Sequence, residues 1–91
     1  MASGSTWQQY FQNWPPDVPP RGILVTRSND QVPFDGFLTS DTMLLLQRKT
    51  PDNVGARKVL MAYDEVVAVK FIDVVRGKAF ETVGFTGKIK D

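Results

Sequence analysis

Gln31-Val32-Pro33-Phe34-Asp35-Gly36-Phe37-Leu38-Thr39-Ser40-Asp41-Thr42-Met43-Leu44-Leu45-Leu46 carries the pattern that decides the fold. In its first half Val32, Phe34 and Leu38 alternate with Gln31, Pro33 and Asp35, the two-residue period of a half-buried strand, with Gly36 on the inward register. A glycine at that position predicts a sharp bend or a close backbone approach. After the polar Thr39-Ser40-Asp41-Thr42 turn, Met43-Leu44-Leu45-Leu46 is apolar at every position. Such a strand expects cover on both faces, a core on one and a helix or a neighbour on the other.

Outward from this stretch, the same signals repeat. Ile23-Leu24-Val25 is a short apolar run ended by Ser28-Asn29-Asp30, residues that tolerate turn dihedrals. On the other side, Pro51-Asp52-Asn53-Val54-Gly55 reads as a hairpin loop. Val59, Met61 and Tyr63 then alternate with Lys58, Leu60 and Ala62, and Asp64-Glu65 offers a tight turn into Val66 to Ile72, where Val67, Val69 and Phe71 share a face. Five short strands with no helical period between them predict a mainly β domain over residues 21–73, a small, strongly bent antiparallel barrel whose closure would remove exposed edges.

Residues 1–20 read differently. Trp7, Tyr10, Phe11 and Trp14 recur at i, i+3, i+4 and i+7, which places four aromatics on one face of a helix over Ser5 to Trp14, with a capping box from Ser5 and Gln8 or from Thr6 and Gln9. Pro15-Pro16 ends it, because the residue before a proline is pushed out of the helical region. The aromatic face is read as closing one end of the core; the alternative is a surface for base stacking or peptide docking. Pro15 to Pro20 forms a stiff connector that also matches PxxP ligands. Residues 74–91, with Gly77, Gly84 and Gly87 among Phe80, Val83, Phe85 and Ile89, form a C-terminal extension read as an extra strand.

The function classes narrow by composition. Ninety-one residues make a single domain, one short enough that a partner subunit would help its stability. The chain has neither cysteine nor histidine, which removes disulfides, thiolate chemistry, the usual general base and the commonest metal ligand. No catalytic constellation, metal site or cofactor site is expected, and Gly84-Phe85-Thr86-Gly87-Lys88 lacks the full spacing of a phosphate loop. Eleven Lys and Arg against ten Asp and Glu give a net charge of +1, too little to imply a polyanion partner alone. No apolar run approaches the ~20 residues of a membrane span, and residues 1–6 lack the basic and apolar regions of a signal peptide, so a cytoplasmic protein without membrane contact is expected. The cationic cluster is Arg48-Lys49, set across the hairpin from Arg57-Lys58.

The layout of a helix followed by five bent strands resembles the Sm-like proteins. Gly36, Leu38, Asp41 and Met43 to Leu46 resemble the first Sm motif in its bend glycine, hydrophobe, loop aspartate and apolar third strand. Val59 to Ile72 is similar to the second motif in the short form of the Hfq family. The resemblance implies a homo-oligomeric ring in which the fourth strand of one subunit pairs with the fifth of the next, and single-stranded RNA held by loop residues. Asp41 and Tyr63 would then stand beside the ligand, with Arg48, Lys49, Arg57 and Lys58 as phosphate contacts. The family's pore loop carries a basic residue where this chain has Tyr63-Asp64-Glu65, and carboxylates repel phosphate; an alternative register puts Arg76-Gly77 there. Weak RNA binding is the expectation. The other reading is a small-barrel protein-interaction module with no nucleic-acid role.

Overall fold

The computed structural model describes residues 3–90. One helix, α1 (Ser3–Gln12), precedes six strands: β1 (Gly22–Thr26), β2 (Gln31–Phe34), β3 (Gly36–Thr39), β4 (Met43–Gln47), β5 (Lys58–Ala62) and β6 (Val66–Lys70). The strands form two antiparallel three-stranded sheets, in the orders β2-β1-β6 and β3-β4-β5. Short 3-10 helices occupy Tyr63–Glu65 and Gly77–Val83.

The β character, the N-terminal helix and the compact packing are as the sequence implies; the five-stranded closed barrel is not. The stretch read as one strand, Gln31 to Leu38, divides at Asp35 into β2 and β3, which belong to different sheets. Asp35 N–H donates to the Gln47 carbonyl at 2.9 Å, yet Gly36 is the register partner of Gln47, so two residues of this strand stand against one of β4. An extra residue of this kind bends a strand and reverses the inward and outward faces beyond it. Val32 and Phe34 are therefore buried, Phe37 packs against the core, and Leu38 is turned outward at 69% exposure. The bend falls on Asp35; a Cβ on Gly36 would make only ordinary contact with Gln47. A close approach does occur at Gly22, where a Cβ would lie 2.5 Å from the Lys70 carbonyl oxygen. The barrel is not closed because β5 and β6 do not pair with each other; the Tyr63–Glu65 turn passes the chain from one sheet to the other.

Leu24, Leu44, Leu46 and Val66 form the fully buried centre, joined by Phe11, Phe34, Met61 and Tyr63. The helix ends at Gln12, short of the expected Trp14, and its aromatic face together with Trp14 just beyond it caps this core: the Phe11 ring lies 5.0 Å from Phe37, and Trp14 lies 5.0 Å from Phe37 and 6.3 Å from Phe34. Trp14 Nε1–H donates to the Val18 carbonyl at 3.0 Å, fixing the proline-rich connector under the ring. The helix begins at Ser3, so Ser5 and Thr6 lie within it and not at its start, where the capping box is expected.

The C-terminal extension forms the 3-10 helix Gly77–Val83 and not a strand. Its start is held by a bidentate ion pair, Arg21 Nε and Nη2 to the two Asp73 oxygens at 2.9 and 2.7 Å. Phe80 then packs on Phe71 at 5.3 Å and Phe85 on Tyr10 at 5.8 Å.

Candidate functional site

The β4–β5 hairpin collects the cationic residues. Its ladder runs from Met43↔Ala62 to Gln47↔Lys58 and is extended by Arg48 N–H donating to the Arg57 carbonyl at 2.8 Å. Arg48, Lys49, Arg57 and Lys58 are thereby brought to one end of the second sheet, the arrangement read from the sequence. Among the described residues none of the four is in an ion pair; Arg48 Nε donates to the Thr50 carbonyl at 3.2 Å. The loop that holds them is built on Asp52, whose Oδ1 accepts from Ala56 N–H at 2.8 Å and Val54 N–H at 3.0 Å. Gly55, at φ +88°, supplies the left-handed residue that the loop requires. The Ala56 amide, with lesser help from Val54 and Arg48, holds the Asp52 carboxyl below its ordinary range. Asp52 is thus occupied in shaping the loop with Arg48 half-buried beside it, and Lys49, Arg57 and Lys58 are exposed.

Asp41 and Tyr63 stand at the opposite end of the same strands. Asp41 is exposed in the β3–β4 turn, whose Ser40 hydroxyl accepts from Met43 N–H at 2.9 Å. Tyr63 is a core residue, 4% exposed, and its hydroxyl donates to the Ser40 carbonyl at 2.9 Å. Burial pushes its phenol pKa up. Its ring is therefore not presented for stacking on a base, and the six residues singled out by sequence fall into two groups, four at one end and two at the other. The segment between the last two strands is Tyr63-Asp64-Glu65; Arg76 precedes the terminal 3-10 helix.

Backbone groups form a second feature that side-chain patterning alone could not reveal. Because Arg48 pairs with Arg57, alternation along the ladder turns the amides of Val59 and Met61 toward β4 and those of Lys58, Leu60 and Ala62 toward the free edge of β5. In the first sheet, Thr26 N–H donates to Asp30 on the β2 side, so Ile23 and Val25 bond to β6 at Lys70 and Ala68. The Val69 amide then faces the free edge of β6, whereas the register shift beside Val25 and Thr26, with Arg27 N–H on the Glu65 carbonyl, turns the Val67 amide back toward β1. No strand pairs with either edge among the described residues.

A third feature is an apolar cavity of about 160 Å³ between α1, the end of β6 and the C-terminal segment, lined by Trp7, Tyr10, Trp14, Phe71, Phe80 and Phe85 among others. It has almost no polar lining. Among the described residues no group of three or more acidic, histidine or cysteine side chains comes together as a metal site, and no helix is long and apolar enough to cross a membrane. Comparison with protein-family models, with curated proteins and with solved structures finds no match to this chain.

Proposed function

We propose that the chain is a non-enzymatic, Sm-like building block of a homo-oligomer, with β5 of one copy pairing with β6 of the next. The observation that carries this reading is the pair of unpaired edges. Each is five residues long and carries amides that point away from its own sheet: Lys58, Leu60 and Ala62 on β5, and Val69 on β6. Unpaired edges are templates for pairing with another chain, and protected monomers blunt them with proline, bulges or charge. Here the only charged residues are Lys58 and Lys70 at the strand ends, β5 is regular along its full ladder, and the one register shift lies at the start of β6, beside Val66, leaving Ala68 to Lys70 in regular register with β1. A head-to-tail contact between two different edges gives a closed ring when the rotation per subunit closes.

Such an assembly gathers one cationic hairpin tip from each subunit. The tips supply phosphate contacts for single-stranded RNA, an affinity without base selectivity that falls steeply with salt. The carboxylates of Asp64 and Glu65 in the connecting turn oppose it, which keeps the affinity low.

Ala62→Pro tests the edge. Ala62 has φ −72° and an amide that faces away from β4, so proline fits the backbone and removes only the outward donor. The wild type is expected to elute as a closed multimer in size exclusion with light scattering, and Ala62→Pro to lose edge-built mass while its melting temperature holds. An unchanged mass for the variant overturns the edge pairing. Filter binding with single-stranded RNA tests the rim: Lys49→Glu with Arg57→Glu should weaken binding equally for all sequences. Tight, base-selective binding that survives the change overturns the phosphate-contact reading.

A further inference from the structure

The run Met43-Leu44-Leu45-Leu46 expects cover on both faces, and the single chain supplies only one. Leu44 and Leu46 are fully buried in the core, whereas Leu45 points the other way, between Leu38 of β3 and Leu60 of β5. These three leucines are direct register partners, so they form one row across the outer face of the second sheet, with Leu38 69% and Leu60 62% exposed. Met43 and Ala62, partners in the adjacent row, extend the apolar surface. Beside the row, above the side-chain-free Gly36, lies a depression of about 210 Å³ bounded by Leu38, Leu45, Gln47 and Lys58.

Edge pairing cannot cover this surface. Hydrogen bonds between strands run in the plane of the sheet, while the leucine row projects perpendicular to it. A ring built through β5 and β6 would repeat the row around one side and leave it exposed in every subunit. Apolar faces of this kind on a folded protein mark an interaction surface.

Charge identifies what fits there. At one end of the row stand Arg48, Lys49, Arg57 and Lys58, which outnumber the nearby carboxylates of Asp35 and Asp52. At the other end stand Asp41, Asp64 and Glu65 against Arg27, whose Nε donates to the Asp64 carbonyl. The strands therefore run from a basic end, across leucines, to an acidic end. A second copy of the same sheet, turned end for end, matches this sequence of surfaces. Its acidic end meets the basic end, its leucine row meets the leucine row, and a projecting leucine enters each depression. A twofold axis lying in the plane of the sheet and perpendicular to its strands generates this arrangement, in which both contacts are equivalent. Two copies turned the other way would set like charges against each other, which favours the single orientation.

We infer that the outer face of β3-β4-β5 is a self-recognition surface that binds a second copy of this chain, leucine row to leucine row and basic end to acidic end. The contact is independent of edge pairing. With it, the multimer joined through β5 and β6 doubles; without edge pairing, the face contact alone gives a dimer.

The test is the mass of the full chain by size exclusion with light scattering at about 0.1 mM, in wild type and four variants. Leu38→Lys places a charge in the middle of the row at a position exposed in the single chain, so its melting curve is expected to match the wild type while its mass falls by half. Lys58→Glu and Asp41→Lys each set like charges together and are expected to shift the equilibrium at least tenfold toward the smaller species. Combining Lys58→Glu with Asp41→Lys restores opposite charges and the larger mass. Ala62→Pro removes the edge donor while keeping a small apolar side chain at the margin of the outer face: if face pairing holds, this variant is a dimer, and adding Leu38→Lys makes it a monomer. A wild type that is monomeric at this concentration overturns the inference. So does a mass that Leu38→Lys leaves unchanged, and so does a charge-exchanged double variant that stays as dissociated as the single ones.

Discussion

The two sheets share a core but finish their outer faces in different ways. In β2-β1-β6 the outward positions of the central strand are Ile23 and Val25, and Val25 is only 9% exposed within the single chain. Their register partners are Pro33 and Lys70 for Ile23, and Gln31 and Ala68 for Val25. That face mixes small, polar and long amphipathic residues, and long stems of this kind cover apolar neighbours while keeping their heads in water. In β3-β4-β5 the corresponding central residue is Leu45, and its partners on both sides are leucines that lie open to solvent. One sheet completes its surface with its own side chains. The other leaves its leucines open to solvent within the single chain.

The largest expected effect separates the two faces of a single strand. Leu44→Ala removes a fully buried side chain from the common core and should cost about 3–5 kcal/mol in chemical denaturation, a large part of a small domain's stability. Leu45→Ala, one residue away, should cost the dissociated chain under about 1 kcal/mol and act on assembly mass instead. Equal losses for the two variants would mean that the outer leucine row is already packed within one chain, and the contrast between the sheets would fail.

A smaller effect is expected in the first sheet. Gly22→Ala drives a Cβ against the Lys70 carbonyl, a backbone atom that cannot turn aside, and should cost about 1–3 kcal/mol by separating β1 from β6. Gly36→Ala, in the second sheet, meets only ordinary contacts and should melt within a degree or two of the wild type. The pair of variants shows which sheet depends on close backbone approach.

The smallest effect lies in the hairpin loop and depends on pH. The Asp52 carboxyl is held below its ordinary value near 3.8 by the Ala56 amide above all. A carboxyl with a lowered folded pKa stabilises the fold above its unfolded value, and the contribution disappears as pH falls through the lowered one. Asp73, lowered by its hydrogen bonds from Arg21, acts in the same direction. Melting temperature should therefore drop as pH falls below about 4, and Asp52→Asn should make that drop shallower by removing one of the two contributions. A variant with the full acid-side loss would place the dependence elsewhere.

Much of this was legible in the residues. Of the four aromatics at helical spacing, Trp7, Phe11 and Trp14 do cap the core while Tyr10 packs on Phe85, and α1 starts earlier than its supposed capping residues. The all-apolar Met43 to Leu46 is covered on the Leu44 and Leu46 face as expected, while the other face, beside Leu38 and Leu60, stays open within the single chain. The cationic hairpin tip is assembled by ladder register, and register follows from the loop that joins its strands. The sequence misled where one residue changed parity. Val32, Phe34 and Leu38 look like one continuous alternation, and nothing in the residue type of Asp35 announces a bulge that turns Leu38 out and Phe37 in. Tyr63 was legible as an inward strand position from its alternation with Leu60 and Ala62; reading it as a ligand contact set the family pattern above that periodicity. The free edges of β5 and β6 had no side-chain signal at all, because they are defined by which way backbone amides point. The final 3-10 helix has no apolar repeat to mark it, and its position is set by Phe80 and Phe85 finding aromatic partners on distant elements.

The chain has only two tryptophans, and the fold puts both at the same seam. Trp7 lies 6.2 Å from Phe11, and Trp14 lies 5.5 Å from it on the other side, beneath the connector that its indole N–H anchors. Intrinsic ultraviolet emission of this protein is consequently a gauge of one joint, where α1 and the C-terminal segment meet the sheets. A red shift that precedes the loss of β circular dichroism would register the helix lifting away while the strands still hold. Events at the leucine row or the hairpin tip are expected to leave the emission unaltered, so the light from two side chains separates motion at the helix seam from changes at the outer face of the second sheet.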